Sequence, residues 1–296
     1  MITPTIRWKI TAALLSCGLL LAACGNNGAP DAQSAGADAP SEAGQQPGSE
    51  GTGSSEPDSE AIELYHQYVI DQTDQFVKDT QAFADAVKAG EIERAKALYA
   101  PARMYFERIE PIAESLGDFD PWIDAREGDV PDSEWRGFHR LEKALWADNS
   151  TEGMEAVADQ LLQDVKQLRV KVEGVEIDTS MLVVGAVELL NEVSSSKVTG
   201  EEERYSHTDL YDFAANVEGA HEIFKVLQSS VEAQDQELSA EIAKRFDELE
   251  AALAPYRQGD GYVAYTELKE DEVKKLSQAI DALAEPLSQI GAVVGG

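Results

Sequence analysis

His139 and Glu142 stand three residues apart in the stretch GFHRLEKALW, which runs from Gly137 to Trp146. An imidazole and a carboxylate at i and i+3 share one side of a helix. Such a pair can converge on one metal ion, as helix-borne Glu and His do in carboxylate-bridged bundles. With Pro131 ahead of it and Asp132 or Ser133 as cap, the helix is predicted to start near residue 132. At about 100° per residue, Trp135, Phe138, Leu141, Leu145 and Trp146 fall on one arc, with Glu142 inside it and His139 at its edge. Arg136, Arg140 and Lys143 fall outside, and Glu134 lies near the arc in the first turn, where it complements the helix dipole. Both polar groups of the pair therefore turn toward the apolar side. A buried carboxylate is costly unless it is paired, hydrogen-bonded or bound to a cation. HxxE is a short and common pattern, so two readings stay open: half of a metal site, or a His–Glu hydrogen bond satisfied inside a core.

Hard oxygen ligands lie shortly upstream. In YFERIEPIAE, Glu107, Glu110 and Glu114 share one helix side opposite Ile109, Ile112 and Leu116. Phase alone predicts a solvated acidic face, although Pro111 makes the phase unreliable. Next comes GDFDPWIDARE, with Asp118, Asp120 and Asp124 in a turn-rich connection where some serve as caps. The other histidines read more plainly. His207 clusters with Asp209 and Asp212 near a helix start that Ser206 or Thr208 can cap, and a hydrogen bond there outweighs metal ligation. His221 falls on the stripe of Leu210, Phe213, Val217 and Phe224 and reads as a core histidine, and His66 has no distinctive context. There is no HExxH helix, P-loop, GxGxxG or GxSxG elbow, and nothing marks a serine or cysteine nucleophile.

The elements that must position these groups are helices. From residue 61 the apolar spacing is helical: Leu64, Val69, Phe76, Phe83 and Val87 mark the first, with Gly90 as its stop. A second helix follows, with interruptions expected at Pro101 and Pro111; later ones are predicted over 152–172, 178–194, 208–233, 236–256 and 270–290. No alternating strand run appears, so the fold class is all-α, built of bundled helices. The N-terminus reads as an export signal over residues 1–23: Arg7 and Lys9, an apolar run from Ile10 to Leu21 too short to span a bilayer comfortably, then Leu21-Ala22-Ala23-Cys24, which resembles a lipobox. Cys24 is then the lipidation site, and with Cys17 removed the mature chain has no cysteine pair, hence no disulfide and no thiolate metal site. Residues 24–60, rich in Gly, Ala, Ser, Pro, Asp and Glu, read as a flexible tether. The chain of 296 residues carries a formal net charge of -32, which argues against a nucleic-acid partner and fits a surface that concentrates cations.

Four segments together, the run from Tyr68 to Glu114, DFDPWIDARE, GFHRLEKALWADNST and YSHTDLYDFAANVEGA, resemble the EfeO/EfeM family of bacterial iron-uptake proteins and its imelysin-like helical module with a GxHxxE motif. The resemblance covers residues 61–296, in the same order throughout. It implies two related four-helix bundles and a site centred on His139 and Glu142. Acidic residues from the two preceding segments join them, Glu107 and Asp124 first, with Glu110 and Asp120 as alternates. It implies iron as the metal, with zinc or copper as substitutes in vitro. The implied partners are a membrane iron permease and, in many systems, a secreted haem peroxidase. Longer members carry a cupredoxin-like domain ahead of this module; this chain is similar to the short, lipid-anchored form, so no copper-assisted oxidation step is carried over. The expectation is a lipid-anchored iron-binding protein on the outer face of the cytoplasmic membrane or in the periplasm, not an enzyme. The alternatives are a metal-dependent peptidase, which needs an open metal position and a base, and a binder of envelope polysaccharide, which the negative charge disfavours.

Overall fold

Each long apolar stripe in the sequence becomes a helix in the computed structural model, which describes residues 56–195 and 197–294. The helices are α1 (Glu56–Lys88), α2 (Ile92–Ala113), α3 (Phe119–Ile123), α4 (Phe138–Trp146), α5 (Glu155–Val172), α6 (Thr179–Ser195), α7 (Asp209–Gln234), α8 (Gln236–Leu253), α9 (Glu270–Leu287) and α10 (Ile290–Val294). A two-residue antiparallel pair, β1 (Arg257–Gln258) and β2 (Gly261–Tyr262), is the one sheet among the described residues. The signal segment, Cys24 and most of the tether lie outside the described residues, and α1 begins at Glu56, inside the range read as tether. No helix among the described residues is long and apolar enough to cross a membrane.

Two four-helix groups form the fold. In the first, α1 packs on α2 and α5, and α4 bridges α2 to α5; in the second, α6, α7, α8 and α9 close a ring. α2 joins the groups by packing on α6 and α7. The close crossing of α2 and α7 depends on Gly219, where an added Cβ would stand 2.4 Å from the Arg108 carbonyl oxygen. Tyr65, Val69, Phe76, Phe83 and Val87 bury one stripe of α1, with Tyr65 in the place expected of Leu64, which is exposed.

Two expectations fail for physical reasons. α2 runs unbroken through Pro101 and Pro111. A proline removes one N–H and strands the carbonyl four residues earlier; for Pro111 that is the carbonyl of Glu107, and the Asn216 amide of α7 donates to it at 3.0 Å. α4 starts at Phe138, not near residue 132. Trp135 is nevertheless buried, because its indole N–H donates to the Ala125 carbonyl at 2.8 Å.

Candidate metal centre

Phe138 seats α4. Its ring stacks on Phe76 and Phe83 of α1 at 5.8 and 5.5 Å and meets Tyr99 of α2 edge-on. The next residue, His139, is thereby pressed against α2 and the end of α3. Both His139 and Glu142 are 1% exposed. His139 Nδ1 lies 3.0 Å from Glu142 Oε2, and Glu142 Oε1 accepts from the backbone N–H groups of Tyr205 and Ser206, each at 2.8 Å. The other ring nitrogen, Nε2, is buried without a hydrogen-bond partner. It lies 3.6 Å from Asp124 Oδ1 and 3.7 Å from Glu202 Oε1.

Among the described residues, two groups of side chains present atoms close enough together to hold one ion: Asp124, His139 and Glu202, and His139, Glu142 and Glu203. Of the residues expected from the sequence, the structure brings His139, Glu142 and Asp124 together. Glu107 is fully buried one step away, correcting the solvated face that helical phase predicts. It lies between Arg103 Nη2 at 2.6 Å and Lys197 Nζ at 2.8 Å. Glu110 shares Lys197, also at 2.8 Å. Asp120 is set apart from His139; with Glu110 and Glu192 it lines two adjoining clefts, one of which reaches Asp124 and Glu202. The sequence reading missed Glu202 and Glu203. They lie in the connection between α6 and α7, where a run of three glutamates looks like ordinary solvated loop.

The centre is a dense charge network. Arg103, 1% exposed, bonds Glu107 and Asp124 and pairs with Glu203 at 2.7 Å and Asp212 at 3.3 Å. Burial alone would discharge every member, so the balance of neighbours decides each proton. Burial and the Arg103 charge oppose protonation of His139, but the Glu142 bond, the nearness of Glu202 and the Asp124 charge outweigh them and raise it to about 10. For Glu202, burial is overcome by Lys197 and His139, which lower it to about 2. Glu203 goes the other way: burial, opposed by Arg103 and helped by the Glu142 charge, pushes it up to about 8. Burial opposes ionisation of Asp124, yet Arg103 and His139 hold it below the usual aspartate range. A cation binding at Nε2 of His139 competes with a proton there.

Asp120 carries its own prediction. Burial, with the charges of Asp124 and Glu107, raises it to about 7. A carboxyl raised in the folded state contributes stability that is fully present below its unfolded pKa, about 4, and is lost as pH rises through 7. Asp120→Asn should therefore exceed the wild type in stability at pH 8 by about 1–2 kcal/mol, allowing for screening by water at the cleft, and match it at pH 4. Urea midpoints at the two pH values check this; a difference that does not change with pH counts against it.

The remaining histidines take structural places. His66 Nε2 bonds the Val172 carbonyl at 2.8 Å, and His221 stacks on Phe246 with Nδ1 3.3 Å from Glu250. His207 takes a positive φ of 58, and its carbonyl accepts from Tyr265 N–H at 2.8 Å. Thr208 sits at the α7 N-cap without a side-chain capping bond, and Ser206 Oγ instead donates to Glu203 Oε2 at 2.7 Å.

By fold the chain is a helical bundle protein, and at the seam of its two four-helix groups an imidazole and several carboxylates are buried close enough together that they could hold a cation. The chain belongs to the imelysin family, whose model matches residues 61–290, and within it to the Efem/EfeO group. It is similar to the Efem/EfeO family lipoprotein of Staphylococcus haemolyticus, 42% identical over 96% of this chain and 99% of that one. It is also 48% identical, over 79% of its length, to the iron uptake system component EfeO of Escherichia coli O157:H7 and to that of Shigella flexneri. It covers 64% of those two chains, so about a third of each has no counterpart in the match.

Proposed function

We propose that this chain captures iron outside the cytoplasmic membrane, held there by a lipid on Cys24, and passes it to a membrane permease, in some settings with a secreted haem peroxidase. The observation that carries the reading is the buried, unpartnered Nε2 of His139 facing the Asp124 and Glu202 carboxylates. One imidazole among carboxylates is a mainly hard donor set suited to iron, which zinc or copper can also occupy. Glu107, bound to Arg103 and Lys197, stands next to that cluster, while Glu110 and Asp120 line the approach from solvent. A lipid and tether would keep the captured ion near its acceptor and raise its effective concentration. The names of the relatives, an Efem/EfeO lipoprotein and an iron uptake component, support the same role.

The test is iron binding by the purified protein and iron uptake by cells carrying His139→Ala. The variant should lose at least about 100-fold in affinity, about 2.7 kcal/mol, and fail to restore uptake in a strain lacking the wild-type gene. Unchanged binding and uptake would remove His139 from the centre, and metal-dependent cleavage of a peptide library by the loaded wild type would replace the transport reading with the peptidase one.

A further inference from the structure

We infer that residues 126–134 form a lid over the acidic cleft at the seam, latched shut by Arg126 on Glu202 and by Glu127 on Tyr205, and that cations enter and leave the cleft when this lid lifts. The gating half of the inference rests on the proposed function; the lid itself rests on packing. From Arg126 to Glu134 no residue is buried, while the residues on either side, Ala125 and Trp135, are 7% and 8% exposed. The Trp135 indole N–H donates to the Ala125 carbonyl at 2.8 Å, so the two ends of the loop are pinned together. A surface loop with joined ends is an Ω-loop, closed on itself. Its own turns shape it: Asp129 N–H donates to the Arg126 carbonyl at 3.1 Å, and Glu134 N–H to that of Pro131 at 2.8 Å.

Hollows undercut the loop on both sides. One, of about 160 Å³, lies between Arg126, Asp129 and Val130 of the loop and Glu192 and Glu202 of the facing wall, and it reaches Asp124. The other, of about 340 Å³, is lined by Glu127 and Asp132 of the loop and by Arg140 and Lys143 of α4. A loop without a buried side chain is held down by its polar links. Arg126 Nη1 donates to Glu202 Oε2 at 2.7 Å, and Arg204 Nη1 to the Glu127 carbonyl at 2.7 Å. The Glu127 carboxylate accepts from the Tyr205 hydroxyl and the Lys143 ammonium. Glu202, Arg204 and Tyr205 all stand on the connection between α6 and α7, so these links tie the loop to the opposite wall of the cleft. Water reaches the Arg126 and Glu127 side chains, 27% and 37% exposed, so the links are screened and break at small cost. Firm anchors at both ends with weak ties between them are the build of a hinged lid. Behind it the Asp124 and Glu202 side chains are 12% and 4% exposed, and a cation from solvent reaches them through the cleft that the loop covers.

Tyr205→Phe removes one latch without changing any charge, and Arg126→Gln removes the other; both side chains are half-buried and outside the core. Cleavage of the Glu127–Gly128 bond by a glutamate-specific protease reports the lid in the metal-free protein. Stopped-flow association and release of zinc report the gate. If the lid must lift for each of these, all three rates follow its open population. In Tyr205→Phe each should rise about three- to tenfold, the worth of one hydrogen bond to a charged group. Zinc affinity at equilibrium should stay within about twofold of wild type, because the closed state remains the major one. Arg126→Gln should speed cleavage by about tenfold and zinc association further still, since it also removes a positive charge from the mouth of the cleft. Charge alone, with no lid, would speed association in Arg126→Gln, leave its release no faster and leave every rate of Tyr205→Phe at the wild-type value; that result overturns the inference. Faster cleavage with unchanged zinc rates overturns the gate. A wild-type protein that binds neither zinc nor iron removes the proposed function and the gating with it, and the cleavage rates then decide the lid by themselves.

Discussion

Arg103→Met should destabilise the metal-free protein by about 3–5 kcal/mol at pH 8, the cost of leaving one side of a buried ion network without its counter-charge. Arg103 is buried at 1% exposure and serves Glu107, Asp124, Glu203 and Asp212 at once. Methionine fills much of its volume, so the loss is chiefly electrostatic rather than a cavity. The pH dependence separates the two. Without Arg103, Glu203, already raised to about 8, and Asp212, already well above the usual aspartate range, rise further and shed charge by taking protons. A raised carboxyl favours the fold below its unfolded pKa and loses that contribution as pH climbs through the folded one. The deficit should therefore be smaller at pH 5 than at pH 8. A bound divalent ion should stabilise the variant more than the wild type, since it restores positive charge beside Asp124. Chemical denaturation at the two pH values, with and without zinc, tests all of this. A variant within about 1 kcal/mol of wild type at pH 8 would show that the carboxylates are discharged without Arg103.

What the sequence made legible was the local half of the centre. Helical spacing turned His139 and Glu142 inward, and both are buried. It could not show that the acidic side of α2 also turns inward. Phase ranks one face of a helix against the other, yet α2 packs on α1 and α4 on one side and on α6 and α7 on the other, so both faces are covered. Glu107 then meets Lys197 and Asn216 instead of water. Glu202 and Glu203 carry no periodic signal because they lie in a connection; their role comes from tertiary placement, where Arg126 donates to Glu202 at 2.7 Å and Ser206 to Glu203. The late start of α4 has a more local cause. The residue before the helix, Gly137, takes φ 91 and ψ -165, a backbone conformation that is essentially glycine's alone.

That glycine yields the other large effect. Gly137→Ala should cost about 3–5 kcal/mol of stability and weaken metal binding at least tenfold. Two costs combine: a side chain in a region closed to L-residues and overpacking against backbone that cannot rotate away. The added Cβ would stand 2.3 Å from the Ile123 carbonyl oxygen and 2.8 Å from that of Trp122. Relief requires the end of α3 and the start of α4 to part. Asp124 follows Ile123 directly and His139 lies two residues beyond Gly137, so the same movement separates the Asp124 carboxylate from the His139 Nε2 that it faces at 3.6 Å. A site of this kind tolerates displacements of about 0.5 Å, which makes the binding loss a consequence of geometry and not of unfolding alone. Gly128→Ala is the control, because Gly128 also has a positive φ, 96, but an added Cβ there meets nothing within 4 Å. It should cost about 1 kcal/mol and leave zinc affinity intact. Equal losses in the two variants would mean that backbone conformation, and not the close approach of α4 to the Asp124 segment, is what the glycine of the GxHxxE motif provides.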